Sequence, residues 1–169
     1  IRYSNPYFQN TRINGMSTFD GADFKEMTDI YGHIVAMYEL GDTLKVYQER
    51  KACSILIGRT EYYDTNGGSN VVETSTRVLG SMRYSPSNYS TVFPESIVRN
   101  NKYLYGYDAY NGVVWRDSVN GLFPISGRYS EVGGDSDYKM QTYFKLKSKA
   151  LVESGLDHVD VVSVWDEEY

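Results

Sequence analysis

Tyr103-Leu104-Tyr105-Gly106-Tyr107-Asp108, then Ala109-Tyr110-Asn111-Gly112, then Val113-Val114-Trp115-Arg116-Asp117 is the stretch on which the fold reading turns. Two runs rich in aromatic and β-branched residues flank a polar segment that ends in Asn-Gly, a pattern that closes hairpins because both residues accept positive φ at low cost. A second turn, Ser118-Val119-Asn120-Gly121, leads to a third run, Leu122 to Ser126. The whole reads as a three-stranded antiparallel meander.

The same order occurs earlier in the chain. Ile34-Val35-Ala36-Met37-Tyr38-Glu39 leads through Leu40-Gly41-Asp42-Thr43 to Leu44-Lys45-Val46-Tyr47-Gln48, and then through Glu49-Arg50-Lys51 to Cys53–Ile57. A third copy begins at Val161-Val162-Ser163-Val164-Trp165-Asp166 and stops at Tyr169, where a partner strand is due. Such a repeat predicts a mainly β fold of antiparallel three-stranded meanders in a propeller-blade-like series, the sequence sign of a repeating architecture. An unpaired strand exposes backbone donors and acceptors, so the chain is expected to be part of a larger fold, its missing strands coming from further residues or another chain.

Between the copies the chain divides into an irregular segment over 1–30, a first meander over 31–58, and an inserted hairpin and long loop over 59–95. A second meander follows over 96–127, a helix over 138–155, and the start of the third unit over 159–169. The helix rests on Met140, Tyr143, Phe144, Lys147, Ala150 and Leu151 at helical spacing, with Ser136 and Asp137 as caps and Gly155 as terminator. That stripe reads as core packing. A short helical turn is expected within Asp23–Asp29. From Gly80 to Pro94 the Ser-, Asn- and Pro-rich sequence reads as a loop of the contact-making kind.

Composition bounds the rest. The chain has 169 residues and a formal net charge of -5, with basic residues scattered along it, so it lacks the basic stripe of a nucleic-acid-binding domain. No apolar run approaches the roughly 18 residues a membrane span requires. Cys53 is the single cysteine and sits in an apolar run, as a small buried thiol would. Neither a metal-ligand spacing, a P-loop nor a dinucleotide fingerprint is present, and no catalytic residue, cofactor or metal site is assigned. Gly67-Gly68-Ser69-Asn70-Val71 lacks the closing glycine of a nucleophile elbow. Asp64-Thr65-Asn66-Gly67-Gly68 resembles the start of a calcium loop, but Ser75 stands where the closing glutamate belongs.

Two groups of residues remain as candidates. Glu39, Asp108 and Asp166 close the first strand of each copy; they read either as a carboxylate ring around a propeller axis or, more plainly, as acceptors for turn backbone N–H groups. Tyr84, Tyr89, Tyr110 and Trp115 are candidates for a contact surface, since aromatic rings with polar tips suit protein and sugar contacts.

Phe93-Pro94-Glu95-Ser96-Ile97, Tyr103–Ala109, Gly112–Leu122 and Ile125-Ser126, taken in this order, resemble large virion proteins of tailed phages, nearest to those of the crAss-like phages. Leu44–Glu49, Ile57-Gly58 and Val78–Ser81 fit the same pattern, so the resemblance spans roughly residues 30 to 126. It implies a non-enzymatic structural segment of a phage tail or virion. Its partners would be other virion chains or the rest of the same polypeptide, without nucleic acid. The competing expectation is a surface carbohydrate-binding or carbohydrate-active module of a gut bacterium, with a glycan as partner.

Overall fold

The first meander forms β1 (Ile34–Leu40), β2 (Thr43–Gln48) and β3 (Ala52–Ile57), paired antiparallel so that Tyr38, Lys45 and Ser54 lie opposite one another across three strands. The chain then leaves the sheet for a separate hairpin, β4 (Arg59–Tyr63) with β5 (Ser69–Glu73). It returns as β6 (Leu79–Tyr84), which completes a four-stranded sheet in the order β1-β2-β3-β6. The second meander does likewise. Strands β7 (Val98–Asn100), β8 (Tyr103–Asp108), β9 (Val113–Ser118) and β10 (Gly121–Pro124) form a sheet in the order β10-β9-β8-β7. Helix α1 (Tyr138–Ser154) follows. The computed structural model describes residues 1–7, 10, 12, 14–63, 69–73, 77–126, 138–155 and 160–166.

Strand alternation sends successive side chains to opposite faces, and each sheet buries both. Between the sheets lie Leu40, Tyr47 and Ala52 from the first and Leu104, Trp115 and Leu122 from the second, with Ile97. The other face of the first sheet carries Val46, Cys53, Ile55 and Leu79 and is covered by Ile1, Tyr3 and Met27 of the N-terminal segment. The other face of the second sheet carries Tyr107 and Val114 and is covered by Phe144 and Leu151 of α1, together with Val161. The order through the molecule is therefore N-terminal segment, first sheet, second sheet, helix.

The repeat gives this stack a direction. Ala36 and Tyr38 of β1 correspond to Tyr105 and Tyr107 of β8 in the sequence alignment of the copies. The first pair packs toward the second sheet, and Tyr107 packs toward the helix. Equivalent faces point the same way, so the sheets are stacked head to tail. Gly106, directly opposite Trp115 on the neighbouring strand, leaves room for the indole ring to lie over β8, since a Cβ there would run into it.

Several expectations are corrected. Leu79–Tyr84, expected within or beside a loop, is a strand; a register shift between Ile55 and Ile57 breaks the period of two that would have revealed it. Past the exposed Pro86 and Asn88, the loop turns inward. Ser90, Thr91 and Ser96 are buried, and the Ser90 hydroxyl donates to the Gln48 carbonyl. Thr91 and Ser96 share a hydroxyl bond of 2.9 Å, and Ser96 also donates to the Phe93 carbonyl at 2.7 Å. These hydroxyls take the place of sheet bonding for a segment that passes between the sheets.

The short turn expected within Asp23–Asp29 is a 3₁₀ turn at Asp29–Tyr31, capped by Thr28. Helix α1 forms where expected, but its buried side is Phe144, Ser148 and Leu151, while Met140, Tyr143 and Ala150 of the expected stripe are exposed. The caps expected at Ser136 and Asp137 lie outside the described residues. Val161–Trp165 is not a strand. It runs along the second sheet with a backbone bond from Ser163 N–H to the Glu95 carbonyl at 3.0 Å, and the Trp165 ring stacks on Tyr105 at 5.6 Å.

Candidate functional site

The side chains with the most chemistry meet on the first sheet's inner face. Lys45, on β2, has Ser54 of β3 opposite it, and Ser54 has Arg83 of β6 opposite it, so a cation, a hydroxyl and a second cation form one row across three strands. Alternation puts Tyr47 on the same face two residues on from Lys45. The second sheet answers with Asp117 and Trp115 from β9. Lys45 Nζ donates to Asp117 Oδ1 at 3.0 Å and to the Ser118 carbonyl at 2.9 Å, and the Tyr47 hydroxyl donates to Asp117 Oδ2 at 2.8 Å. The Lys45 and Asp117 side chains are only 4% and 2% exposed. The rings of Tyr47 and Trp115 stack at 5.0 Å.

This cluster has the form of a structural clamp. Both carboxylate oxygens of Asp117 are occupied, as a buried charge requires. Burial, then the Asp117 charge, pushes the Tyr47 hydroxyl well above the usual phenol range, so it stays a donor.

Beyond the edge of the second sheet the row continues into open space. A cleft of about 390 Å³ lies over Ser54, Leu56 and Arg83, floored at one end by Lys45 and Asp117. Glu61 and Val71 of the β4–β5 hairpin form one wall, and Val119–Leu122 of the β9–β10 turn form another. The hairpin is held there by close approach. A Cβ on Gly80 would overlap the Arg59 carbonyl, so only glycine lets β4 cross β6 at this distance. The Glu61 amide donates to the Ser81 hydroxyl at 2.9 Å, which fixes the wall against the floor.

The residues singled out in the sequence are dispersed. Asp108 is buried; its carboxylate accepts from Asn111 N–H at 2.9 Å and from Ser90 N–H at 3.2 Å, as a turn-capping acid does. Burial raises its carboxyl above the ordinary value, and these hydrogen bonds oppose the rise. Glu39 is exposed at the end of β1, and Asp166 is exposed at the end of the C-terminal extended segment. Among the described residues no group of three or more His, Cys, Asp or Glu is placed to hold a metal ion. The turn of the calcium-like segment and Ser75 lie outside the described residues.

Of the aromatic candidates, Tyr110 alone is exposed, with the Arg50 guanidinium 5.7 Å from its ring centre. Trp115 is wholly buried and donates its indole N–H to the Ser90 carbonyl at 2.8 Å, so it is a core residue and presents no contact surface. Tyr84, at the end of β6, accepts from the Thr28 amide and donates to Gln48, and it is among the residues lining the cleft. Tyr89 packs on the core between the sheets. Sequence reasoning missed Arg83 because its place beside Ser54 depends on β6 joining β3, and it missed Lys45 and Ser54 because their role depends on Asp117 of the other sheet and on Arg83. The alternation of polar residues along one face of β2 was the available signal.

Comparison with known protein families, curated proteins and solved structures finds no match to the chain. No helix among the described residues is long and apolar enough to cross a membrane.

Proposed function

We propose that the chain is a structural β-repeat segment of a phage tail or virion, working through protein–protein contacts and not through catalysis. The two four-stranded sheets are read as consecutive blade-like units of a propeller-related series. The observation that carries the proposal is where apolar surface remains. Tyr62, Val71 and Val72 on the projecting hairpin, and Met140, Tyr143 and Leu146 on the outer side of α1, are exposed by half or more. Exposed apolar side chains also occur elsewhere, as at Ile30, Val119 and Val164, but on the hairpin and the helix three fall close together on one element, as on surfaces that meet another protein. The resemblance of residues 30 to 126 to virion proteins supplies the kind of assembly.

Immunogold labelling and mass spectrometry of purified particles test this reading. Labelled tails carrying the chain in stoichiometric amount are expected. A chain recovered only from the soluble fraction, with unlabelled particles, would refute it.

A further inference from the structure

We infer that the cleft beside the Lys45–Asp117 pair is a saccharide site that takes one or two sugar rings. The inference does not rest on the virion reading, and either can fail alone. The volume of about 390 Å³ lies within the roughly 300–1,000 Å³ of small-ligand sites. The floor is built on strands, which hold polar groups more precisely than loops do.

The lining selects the ligand class by its mixed character. An ammonium has three N–H donors, and Lys45 uses two of them, on Asp117 and on the Ser118 carbonyl, so a nearly buried donor remains at the cleft floor. Arg83 adds donors from the sheet, Glu61 adds an acceptor from the hairpin, and the hydroxyls of Ser54 and Ser81 serve either way. Neither Arg83 nor Glu61 is ion-paired among the described residues.

A phosphate is a compact anion with no apolar face; it would lie against the Glu61 carboxylate and leave Leu56, Val71 and Val119 without a partner. A cationic ligand would face Lys45 and Arg83. A sugar ring suits both signs, because each hydroxyl donates and accepts at once. Its C–H face also finds apolar cover from Leu56, Val71 and Val119.

The test is an amide NMR titration of the full chain with glucose, galactose, N-acetylglucosamine, N-acetylneuraminic acid, lactose and inorganic phosphate. Each is taken to about 50 mM, which captures affinities weaker than millimolar. At least one sugar is expected to give saturable shifts at Ser54, Ser81, Arg83 and Asn120. Glu61→Gln, on the hairpin wall, and Arg83→Ala, exposed on the sheet, are each expected to weaken binding by about tenfold, the loss of one charge-assisted hydrogen bond. Should either variant lose spectral dispersion, Val71→Arg replaces it, since Val71 is exposed and an arginine there crosses the cleft mouth. The absence of any saturable shift, shifts confined to other surfaces, binding of phosphate alone, or unchanged affinity in the folded variants would each overturn the inference.

Discussion

Lys45 and Asp117 show how one residue pair joins two sheets. Both charges are nearly buried; Asp117 is held by Lys45 and Tyr47, and Lys45 by Asp117 and the Ser118 carbonyl. Replacing a single member leaves a buried charge without compensation, a change that costs about 3–5 kcal/mol, whereas replacing both by apolar side chains is far milder. Lys45→Met is therefore expected to lower the urea midpoint sharply, and Lys45→Met/Asp117→Leu to recover most of the loss. Additive losses in the double variant would show that the two side chains act independently.

Cys53 illustrates the opposite case, a group made inert by its surroundings. Burial pushes its thiol up to about 12, so the nucleophilic thiolate is scarce at any ordinary pH. A disulfide reagent at pH 8 is expected to modify it only as fast as the protein unfolds, and fast labelling of the folded chain would contradict the packing around β3. Because the folded state holds this proton more tightly than the unfolded chain does, the thiol's contribution to stability is complete below the ordinary value. It declines as pH rises toward 12.

At the scale of elements, the β4–β5 hairpin depends on one backbone approach. It pairs with no strand of either sheet, and it stands against β6 because Gly80 has no side chain to displace the Arg59 carbonyl. Gly80→Ala forces the hairpin or β6 to move. Overpacking of this kind costs about 1–3 kcal/mol. The expected result is a modest loss of stability together with large amide shifts across residues 59–63 and 69–73, while β8 and β9 keep their spectra. Shifts spread evenly through both sheets would mean that the hairpin is integral to the core. Helix α1 is tied differently, by Phe144 against Tyr107 at 5.9 Å and by a 2.7 Å hydroxyl bond between Tyr107 and Ser148. It covers the face that in the first sheet receives another sheet.

Taken whole, the molecule is a stack of four layers with its most populated cluster of buried core residues in the middle. Tyr47, Leu104 and Trp115 are all fully buried in the shared layer, so neither sheet retains its inner face if the other is lost. One cooperative unfolding transition is expected, with tryptophan fluorescence and far-ultraviolet circular dichroism superimposing. Native-state hydrogen exchange should be slowest in β2 and β9 and fastest in the β4–β5 hairpin. Two separated transitions would show that the repeats fold as independent units.

Local chemistry was enough to place most elements in this chain. Runs such as Tyr103–Asp108 and Val113–Asp117 are rich in aromatic and β-branched residues and meet at turn residues, so strand identity, hairpin pairing and the helix at Tyr138–Ser154 were legible from neighbours within a few positions. The plainer role of Asp108, accepting turn amides, was legible for the same reason. What lay beyond reach depended on contacts distant in sequence. Only the tertiary structure added β6 to β3, turned Trp115 from a contact candidate into core, and left Val161–Trp165 outside any sheet. It also brought Lys45, Arg83, Glu61 and Asp117 around one cleft. A strand's periodicity says that a side chain has two faces to choose from; which face meets a sheet, a helix or open solvent is settled by packing among segments tens of residues apart.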